Sequence, residues 1–380
     1  MKIGLLGMGT IGSGVYEILE KRGDIEVQRV LDLRKIAGLG DRLTARFEDI
    51  LEDGSIDTVV ELMGGLEPAH EYVVRSMRAG KNVVTANKLM VSRHFDEILR
   101  TSQSNDVAFR LSACVGGGIP YIHNLLRARR VDFILWVGGI VNGTTNLILD
   151  TMQSSGEGFQ EALREAQRMG YAEADPSSDI DGVDARSKLT IAMNLAFDGV
   201  ADTNAVLTEG IRNLTGQDIR RFRELGYVCR FLSSARRLEG GAATAYVEPT
   251  LVRPDAPEAA VRKNDNMISF EGAYAGVQHF IGQGAGKLPT ACAVVGDLID
   301  LDRRRHLSPF TTNGAPIAID NAQVGHRYYV RTAARLGIPA EKIDDRAYLT
   351  EPVSVARMHA HAEELRVSDP GAFFAGMRDE

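Results

Sequence analysis

Residues 2–12 have the sequence KIGLLGMGTIG, in which a short apolar strand runs into glycines spaced as GxGxxG. A helical pattern follows, and Asp32 ends the next apolar segment, 20 residues after Gly12. In this context the loop is predicted to bind the phosphates of a dinucleotide. Gly7 allows the tight turn, Gly9 lets a pyrophosphate approach the backbone, and Gly12 lets the helix pack on the strand. The alternative is a structural βαβ turn that binds no ligand.

The residues around this loop bear on which nucleotide is bound. Thr10 and Ile11 begin the predicted helix, whose N-terminus stabilises phosphate charge. A carboxylate at Asp32 accepts hydrogen bonds from the adenosine ribose and repels a 2′-phosphate, which favours NAD. Arg34 and Lys35 follow directly, and they either receive that phosphate, as NADP requires, or form a solvated charged turn. The sequence therefore favours NAD and leaves NADP open.

Residues 1–132 alternate apolar, β-branched segments with amphipathic helical ones. This alternation predicts an α/β fold with a doubly wound parallel sheet of the Rossmann type. Residues 133–285 change character, because helical patterns give way to strand patterns such as ATAYVEPTLV, MISFEGAY and GVQHFIG. We expect a second, α+β domain with a mixed sheet there. Residues 321–380 form a C-terminal tail of unassigned role, in which SVARMHAHAEELR indicates a polar helix.

The composition excludes several classes of protein. The 380 residues are 44% hydrophobic and 25% charged, which are globular values and suggest two domains or slightly more. With 44 Lys and Arg against 51 Asp and Glu, the net charge of -7 argues against nucleic-acid and anionic-membrane partners. No apolar run reaches the roughly 18 residues that span a bilayer. Three scattered cysteines form neither a disulfide framework nor a metal knuckle, so we expect a cytoplasmic protein.

A group of polar residues between positions 136 and 195 carries the strongest chemical signal. Asp184 and Lys188 are four residues apart in a helical pattern that is otherwise largely apolar, so they share one helix face and are expected to be partly buried. Burial disfavours a charged lysine and the aspartate favours it. A lysine balanced in this way is able to exchange a proton with a substrate hydroxyl. The alternative is a structural helix ion pair worth a few tenths of a kcal/mol.

Several segments resemble the signature motifs of homoserine dehydrogenases, and they occur in the same order along the chain. They are TANK at residues 85–88, GGIVNGTTN, GYAEADP, DIDGVDARSK and GQGAGKLPTACAVVGDL at residues 282–298. The resemblance covers roughly residues 1–300. It implies the reversible oxidation of L-homoserine to L-aspartate 4-semialdehyde with NAD or NADP, a step of threonine and methionine biosynthesis.

The resemblance also implies roles for individual residues. Lys188 is similar to the lysine that donates or accepts the proton, and Lys88 to a second active-site lysine that contacts cofactor and substrate. Glu173 resembles the carboxylate that binds the substrate ammonium, and Asp179 and Asp184 resemble acidic residues of the same pocket. Two of these residues also have a structural alternative. Glu173 is alternatively a solvated loop charge, and Lys88 is alternatively a surface lysine after a strand.

Three further implications concern the glycine segments and the domains. Gly143 and Thr144 resemble a turn that contacts substrate, although Thr144 alone is also a suitable helix cap. Gly284 belongs to a glycine segment near the cofactor. In this family the chain after about Gly286 packs back on the nucleotide domain, so residues 286–320 are expected to complete it. Residues 133–285 are then the substrate-binding, catalytic and dimerisation domain of a homodimer.

The chain departs from the family pattern in three places. Ser112 stands where many members carry a glutamate that binds sodium, so no metal site is predicted, and the remaining sodium candidates are Val115, Gly117 and Ile119. Leu31 stands where NADP-preferring members tend to have arginine, which again favours NAD. Too few residues follow Arg331 for the complete ACT domain of many bacterial members, so threonine feedback is not expected.

Two other readings remain open at this stage. One is a related oxidoreductase that acts on another amino alcohol or semialdehyde, for which the altered Ser112 loop is the hint. The other is a non-catalytic nucleotide-sensing protein on the same scaffold. Retention of Lys88, Glu173, Asp184 and Lys188 argues against a sensor, because a sensor does not need acid/base groups.

Overall fold

The computed structural model describes residues 1–302 and 314–378, so the basic run at residues 303–306 lies outside the described part. The chain forms two compact units. Unit 1 contains the described residues of Met1–Val131, Asn194–Val200 and Gly282–Pro316, and unit 2 those of Asp132–Met193, Ala201–Ile281 and Ile317–Glu380. None of the helices in the described ranges is both long and apolar enough to cross a bilayer.

The strands and helices of the described residues are numbered in chain order. The strands are β1 Lys2–Leu6, β2 Glu26–Leu31, β3 Leu43–Thr44, β4 Thr58–Glu61, β5 Asn82–Thr85, β6 Phe109–Arg110, β7 Ile134–Ile140, β8 Leu207–Thr208, β9 Val228–Arg237, β10 Ala243–Val252, β11 Asp265–Gly272, β12 Gly276–Gln283, β13 Gly325–His326, β14 Tyr328–Arg331, β15 Ala340–Lys342, β16 Ala347–Thr350, β17 Val353–Ser354 and β18 Phe373–Arg378. The helices are α1 Thr10–Arg22, α2 Glu48–Leu51, α3 Ala69–Arg78, α4 Lys88–Ser104, α5 Tyr121–Ala128, α6 Gly143–Ser155, α7 Phe159–Arg168, α8 Ser177–Ile180, α9 Val183–Phe197, α10 Gly216–Glu224, α11 Lys287–Asp302 and α12 Val355–Ser368.

Unit 1 is built on a six-stranded parallel sheet in the order β3-β2-β1-β4-β5-β6. Its strands are rich in β-branched residues and buried, as expected for a parallel sheet covered on both faces. The predicted Rossmann-type fold is therefore confirmed. The strand order reverses between β1 and β4, and the crevice at such a reversal, beyond the carboxyl ends of the strands, is where α/β folds bind ligands.

A segment from late in the sequence completes the core of unit 1. Helix α11 contributes Val294 and Leu298 to a cluster that also contains Ile3 and Leu5 of β1. The helix packs closely on α1, because a Cβ at Gly14 would lie 3.0 Å from the Cβ of Ala291. The glycine in α1 thus allows two helices to approach that are more than 260 residues apart in the sequence.

Unit 2 is built on a ten-stranded mixed sheet in the order β12-β11-β7-β9-β10-β18-β14-β16-β15, with β8 paired to β10. The pairs of β10 with β8 and β18 are parallel, and the pairs β9–β10, β7–β9, β7–β11, β14–β18, β14–β16 and β15–β16 are antiparallel. This confirms the mixed sheet. Residues 321–378, predicted as a tail of unassigned role, contribute strands to this sheet, since β18 lies between β10 and β14.

Phe374 on β18 tests how much this late strand contributes to stability. Its side chain is fully buried, and its ring packs edge-on against Tyr328 and His359, with centroids 5.6 and 5.1 Å away. We expect Phe374→Ala to lower the free energy of unfolding by about 3–5 kcal/mol, measured by denaturant unfolding. Val367→Ala, at a side chain that is 88% exposed on α12, is the control and should change it by less than about 0.5 kcal/mol. Equal effects of both changes would contradict the assigned role of β18.

Candidate functional site

The glycine loop after β1 has the geometry of a phosphate cradle. Gly7 has φ +94°, which a side chain would strain, and a Cβ at Gly12 would lie only 2.0 Å from the carbonyl oxygen of Gly7. A Cβ at Gly9 would meet nothing within 4 Å, so the space above the loop is open. Thr10 and Ile11 begin α1, whose first turn contains no acidic residue that would repel a phosphate. These features fit the pyrophosphate of a dinucleotide.

Asp32 at the end of β2 is tied to the loop and to the basic turn that follows. Its carboxylate accepts hydrogen bonds from the Met8 amide at 2.9 Å and from the guanidinium of Arg34 at 2.8 and 2.9 Å. The hydrogen bonds from Arg34 hold the pKa of Asp32 well below its usual range. The Asp32 side chain is 9% exposed and that of Arg34 is 65% exposed. Asp32, which was expected to favour NAD, and Arg34, which was a candidate for the 2′-phosphate of NADP, therefore form one ion pair.

Glu61, at the carboxyl end of β4, organises the loops beside this crevice and was not singled out from the sequence. It is fully buried, and burial raises the pKa of its carboxyl group. Its oxygens accept hydrogen bonds from the hydroxyl of Thr85 at 2.6 Å and the amide of Met63 at 2.8 Å. The Asn87 side chain donates to the Gly65 carbonyl at 2.7 Å. The loops after β4 and β5 are thereby held together.

Lys88 is the first residue of α4, and Asn87 caps that helix by accepting a hydrogen bond from the Met90 amide. Lys88 is half-buried. Burial raises the pKa of the nearby Cys114 thiol well above its usual value. The positive charge of Lys88 acts in the opposite direction and lowers that pKa. A buried thiol of this kind does not ionise readily, which agrees with a packing role for Cys114.

The segment in which sodium was considered is tightly packed against the glycine segment at Gly284. A Cβ at Gly117 would lie 2.5 Å from the carbonyl oxygen of Gly284. Ser112 donates its hydroxyl and its amide to the carboxylate of Asp297, at 2.8 and 3.0 Å. Asp297 lies on α11, and burial raises its pKa. Ser112 therefore hydrogen-bonds a buried carboxylate of another helix; Val115 and Ile119 belong to the same loop.

In unit 2, Lys188 lies in a buried polar cluster. Its Nζ is 2.8 Å from a carboxylate oxygen of Asp184 and donates to the carbonyl oxygen of Val141 at 2.7 Å. The side chains of Lys188 and Asp184 are 8% and 5% exposed. An ammonium has three donors, and these contacts use two of them. The predicted Asp184–Lys188 pair therefore exists in the structure, and its position is fixed by a backbone carbonyl.

Asn142 holds the acidic residues of this cluster together. Its Nδ2 donates to Asp179 at 2.7 Å and to Asp184 at 2.9 Å, while its Oδ1 caps α6 by accepting the Thr145 amide at 2.8 Å. Burial first, and then repulsion from Asp184, raise the pKa of Asp179. One side chain thus links a helix start to two carboxylates beside Lys188.

The remaining predicted substrate residues surround the start of α6. Gly143 has no room for a side chain, because a Cβ there would lie 2.5 Å from the Asn264 carbonyl oxygen. Thr144 donates its hydroxyl to the Tyr171 carbonyl at 2.9 Å. Glu173 lies on the loop after Tyr171, and its side chain is exposed. The Gln167 side chain donates to the Glu173 backbone carbonyl, so the backbone of this loop is held while the carboxylate faces outwards.

Asn142 and Glu61, which hold these predicted residues in place, were not predicted from the sequence. Asn142 lies within the quoted GGIVNGTTN segment, and its position one residue before a helix start is a signal for a cap. Glu61 ends a β-branched strand, and a carboxylate at the end of a buried strand is a comparable signal.

Two family models match this chain. Residues 7–112 match the model of the NAD-binding domain of homoserine dehydrogenase, and residues 120–299 match the model of homoserine dehydrogenase. The chain belongs to the homoserine dehydrogenase family. The resemblance inferred from the motifs is confirmed, and with it an NAD(P)-binding domain and the enzyme class of an NAD(P)-dependent homoserine dehydrogenase.

Individual relatives are similar to this chain over most of its length. The homoserine dehydrogenase of Synechocystis sp. is 42% identical over 316 residues, which are 79% of this chain and 73% of that protein. That of Neisseria gonorrhoeae is 34% identical, with coverage of 100% of this chain and 89% of the relative. The crystal structure of a homoserine dehydrogenase from Thiobacillus denitrificans matches with a TM-score of 0.89 at 34% identity, covering 100% of this chain and 98% of that one.

The raised pKa of Asp179 predicts that its charge lowers the stability of the fold at neutral pH. Removing the charge with Asp179→Asn should stabilise the fold at neutral pH by on the order of 1 kcal/mol, because the amide keeps the hydrogen bond from Asn142 without the repulsion from Asp184. Below the ordinary pKa of 3.8 the carboxyl group is protonated in both folded and unfolded chains, so the gain should vanish there; it is complete above the raised pKa. Thermal unfolding across this pH range measures it.

The control is Asp181→Asn, at the residue that follows α8. Asp181 is partly exposed and paired with Arg212. Loss of an exposed ion pair should destabilise slightly or not at all. A destabilised Asp179→Asn variant at neutral pH would contradict the argument.

Proposed function

We propose that the chain catalyses the reversible oxidation of L-homoserine to L-aspartate 4-semialdehyde, with Lys188 exchanging the proton of the substrate hydroxyl. The observation that carries this proposal is the buried Lys188 amine, held by Asp184 and the Val141 carbonyl with one donor position left over. A lysine in such a setting is suited to general acid/base catalysis because its position is fixed before the substrate arrives.

The chemistry divides between cofactor and protein. Bound NAD(P) supplies the hydride acceptor for oxidation and the hydride donor for reduction. In the reducing direction the Lys188 ammonium gives a proton to the oxygen that was the aldehyde, and the amine left behind has Asp184 beside it. In the oxidising direction the neutral amine takes the hydroxyl proton. Asp184 keeps the nitrogen in place in both directions and compensates the charge when it forms.

Substrate recognition is assigned to the groups around α6. Homoserine is a zwitterion, so its ammonium requires carboxylates and its carboxylate requires a cation or a helix N-terminus. We assign the ammonium to Glu173 and Asp179, and the carboxylate to the turn of Gly143 and Thr144. Glu173 is exposed in the structure, so this role requires its side chain to turn towards the ligand.

On the nucleotide side, Lys88 is assigned to contact cofactor and substrate, and NAD is favoured over NADP. The carboxylate of Asp32 occupies the end of β2, where the adenosine ribose is expected. Arg34 is engaged by that carboxylate, which reduces its availability for a 2′-phosphate. Gly284 is assigned to the same nucleotide site as the glycine loop.

The test is initial-rate kinetics with homoserine, run in parallel with NAD and NADP. We expect Lys188→Ala to lower kcat by at least about 100-fold and to leave the affinity for the cofactor nearly unchanged. Lys188→Arg keeps the positive charge but cannot lose its proton near neutral pH, so it should also be inactive. Lys342→Ala, at a partly exposed lysine of unit 2, is the matched control and should behave as the unmodified protein.

Each other outcome has a definite meaning. An unchanged kcat in Lys188→Ala refutes the acid/base role, and an active Lys188→Arg variant would make the role of Lys188 electrostatic. Turnover of a shorter or longer homologue in preference to homoserine would favour a related oxidoreductase. Nucleotide binding without turnover of any of these alcohols would favour a sensor.

We also infer that the protein is a homodimer, from the exposed edge strand of the sheet in unit 2. Strand β12 lies at the edge of the sheet, and its Val277 and Ile281 side chains are 52% and 61% exposed. Exposed apolar edge strands are normally covered. Light scattering should give a mass twice that of one chain. Ile281→Asp should shift the measured mass towards that of a single chain. Val367→Asp, at an equally apolar and more exposed residue of α12, is the control. A single-chain mass for the unmodified protein would refute the dimer.

A further inference from the structure

Asn142 is connected to both groups that hold the Lys188 amine. Its side-chain Nδ2 donates to Oδ2 of Asp184 at 2.9 Å, and the Lys188 Nζ lies 2.8 Å from the same oxygen. The other acceptor of Lys188 is the carbonyl of Val141, the residue directly before Asn142 in the chain. Asn142 is therefore joined to the lysine through its side chain on one side and through a peptide bond on the other.

We propose that Asn142 is a positioning residue for proton transfer at Lys188. Its amide holds the Asp184 oxygen that the lysine uses, and it satisfies that oxygen when the lysine is neutral. This inference rests on the proposed role of Lys188 as the acid/base group. Asn142 acts through Asp184, so it needs no contact of its own with substrate or cofactor.

The orientation of the Asn142 amide is fixed by the start of α6. Its Oδ1 accepts the backbone amide of Thr145 at 2.8 Å, and the Thr145 hydroxyl lies 3.0 Å from the same atom. The opposite orientation would place Oδ1 against two carboxylates and the NH2 group against a backbone N–H, and both arrangements are repulsive. Asn142 is buried, so water has little access to these contacts. Its two N–H groups are therefore directed at Asp179 and Asp184.

The hydrogen bond from Asn142 matters most when Lys188 is neutral. In that state the buried Asp184 carboxylate no longer faces an ammonium. A buried carboxylate that loses its cation is strongly disfavoured unless other donors satisfy it. Because Asn142 still donates to the Asp184 oxygen, the neutral-lysine state keeps a hydrogen bond to the negative charge. The amide thus makes it easier for Lys188 to release its proton.

The second N–H of Asn142 serves the other carboxylate that acts on Lys188. Asp179 lies on α8 and accepts this N–H at 2.7 Å. The charge of Asp184 repels that of Asp179, and the charge of Lys188 offsets the repulsion. When the lysine is neutral the offset is lost, and Asn142 remains as a donor shared by the two carboxylates. Both carboxylates therefore depend on one amide at the moment when the proton has left.

The alternative explanation is that Asn142 only caps α6. The two explanations differ in what they require of the side chain, because a cap needs an acceptor and the positioning role needs a donor. Asn142→Asp keeps an acceptor for the Thr145 amide and adds a negative charge that favours a helix N-terminus, but its carboxylate has no N–H. Asn142→Ser keeps an uncharged cap, and its one hydroxyl proton cannot replace two N–H groups.

The experiment measures kcat for homoserine oxidation by the full chain across a range of pH. We expect Asn142→Asp and Asn142→Ser to lower kcat at neutral pH by about 10–100-fold. The pH at which oxidation reaches half its maximal rate should rise by about 1 unit, because the lysine keeps its proton to higher pH when Asp184 lacks the amide. The affinity for the cofactor should stay nearly unchanged, which would show that the variants are folded.

Ser354→Ala is the matched control for the loss of a helix cap. Ser354 caps α12 in unit 2 by accepting the Arg357 amide. Its replacement should lower the melting temperature and leave the pH dependence of kcat unchanged. A cap that acts only on stability therefore gives a different result from the one expected of Asn142.

The outcomes separate this inference from the proposed function. Suppose that the unmodified protein oxidises homoserine and Lys188→Ala does not. An unshifted pH profile in both Asn142 variants would then overturn the role of Asn142 alone and leave it as a helix cap. Absence of turnover by the unmodified protein, or an active Lys188→Ala variant, would overturn the proposed acid/base chemistry and this inference together.

Discussion

The position of one buried ammonium group governs the architecture of unit 2. Lys188 can stay buried only because Asp184 and the Val141 carbonyl both accept its protons. That arrangement requires β7 to end beside α9, and the residue that follows Val141 is the Asn142 that caps α6. The strand end, the helix start and the lysine are therefore parts of one hydrogen-bonded structure. Truncating any one of them leaves a buried charge or carbonyl without its partner.

Unit 1 uses a buried carboxylate for a similar purpose. Glu61 is surrounded by donors, namely a threonine hydroxyl, a backbone amide and the Asn87 amide. Its raised pKa shows that burial outweighs these donors. The result is a fixed pair of loops at the carboxyl ends of β4 and β5, from which Lys88 begins its helix. In each unit, an asparagine that caps a helix also donates to a buried acidic group: Asn87 of α4 to Glu61, and Asn142 of α6 to Asp184.

The sequence predicted those features that depend on residues close together in the chain. The glycine loop needs only a strand, a turn and a helix, and Asp184 and Lys188 are one helical turn apart. Strand β9 was not predicted from the sequence, and it contains three arginines. Yet Arg230 is fully buried, since the carbonyls of Glu258, Cys229 and Ala259 accept its protons. Two of these acceptors, the carbonyls of Glu258 and Ala259, lie some thirty residues later in the chain. The local sequence pattern around Arg230 therefore does not reveal that it is buried.

Residues 321–378 could not be assigned from the sequence, because their strands and histidines contact parts of the chain that are distant in sequence. Strands β14 and β18 have four and six residues; β18 pairs with β10, more than 75 residues earlier in the chain, and β14 pairs with β18. His326 and His359 come from this segment and both contact Glu248 of β10, which is fully buried. Their hydrogen bonds keep the pKa of Glu248 below its usual value against the effect of burial. A buried glutamate in β10 therefore requires two histidines from the end of the chain, so this part of the protein belongs to the sheet and cannot be removed without leaving that charge unpaired.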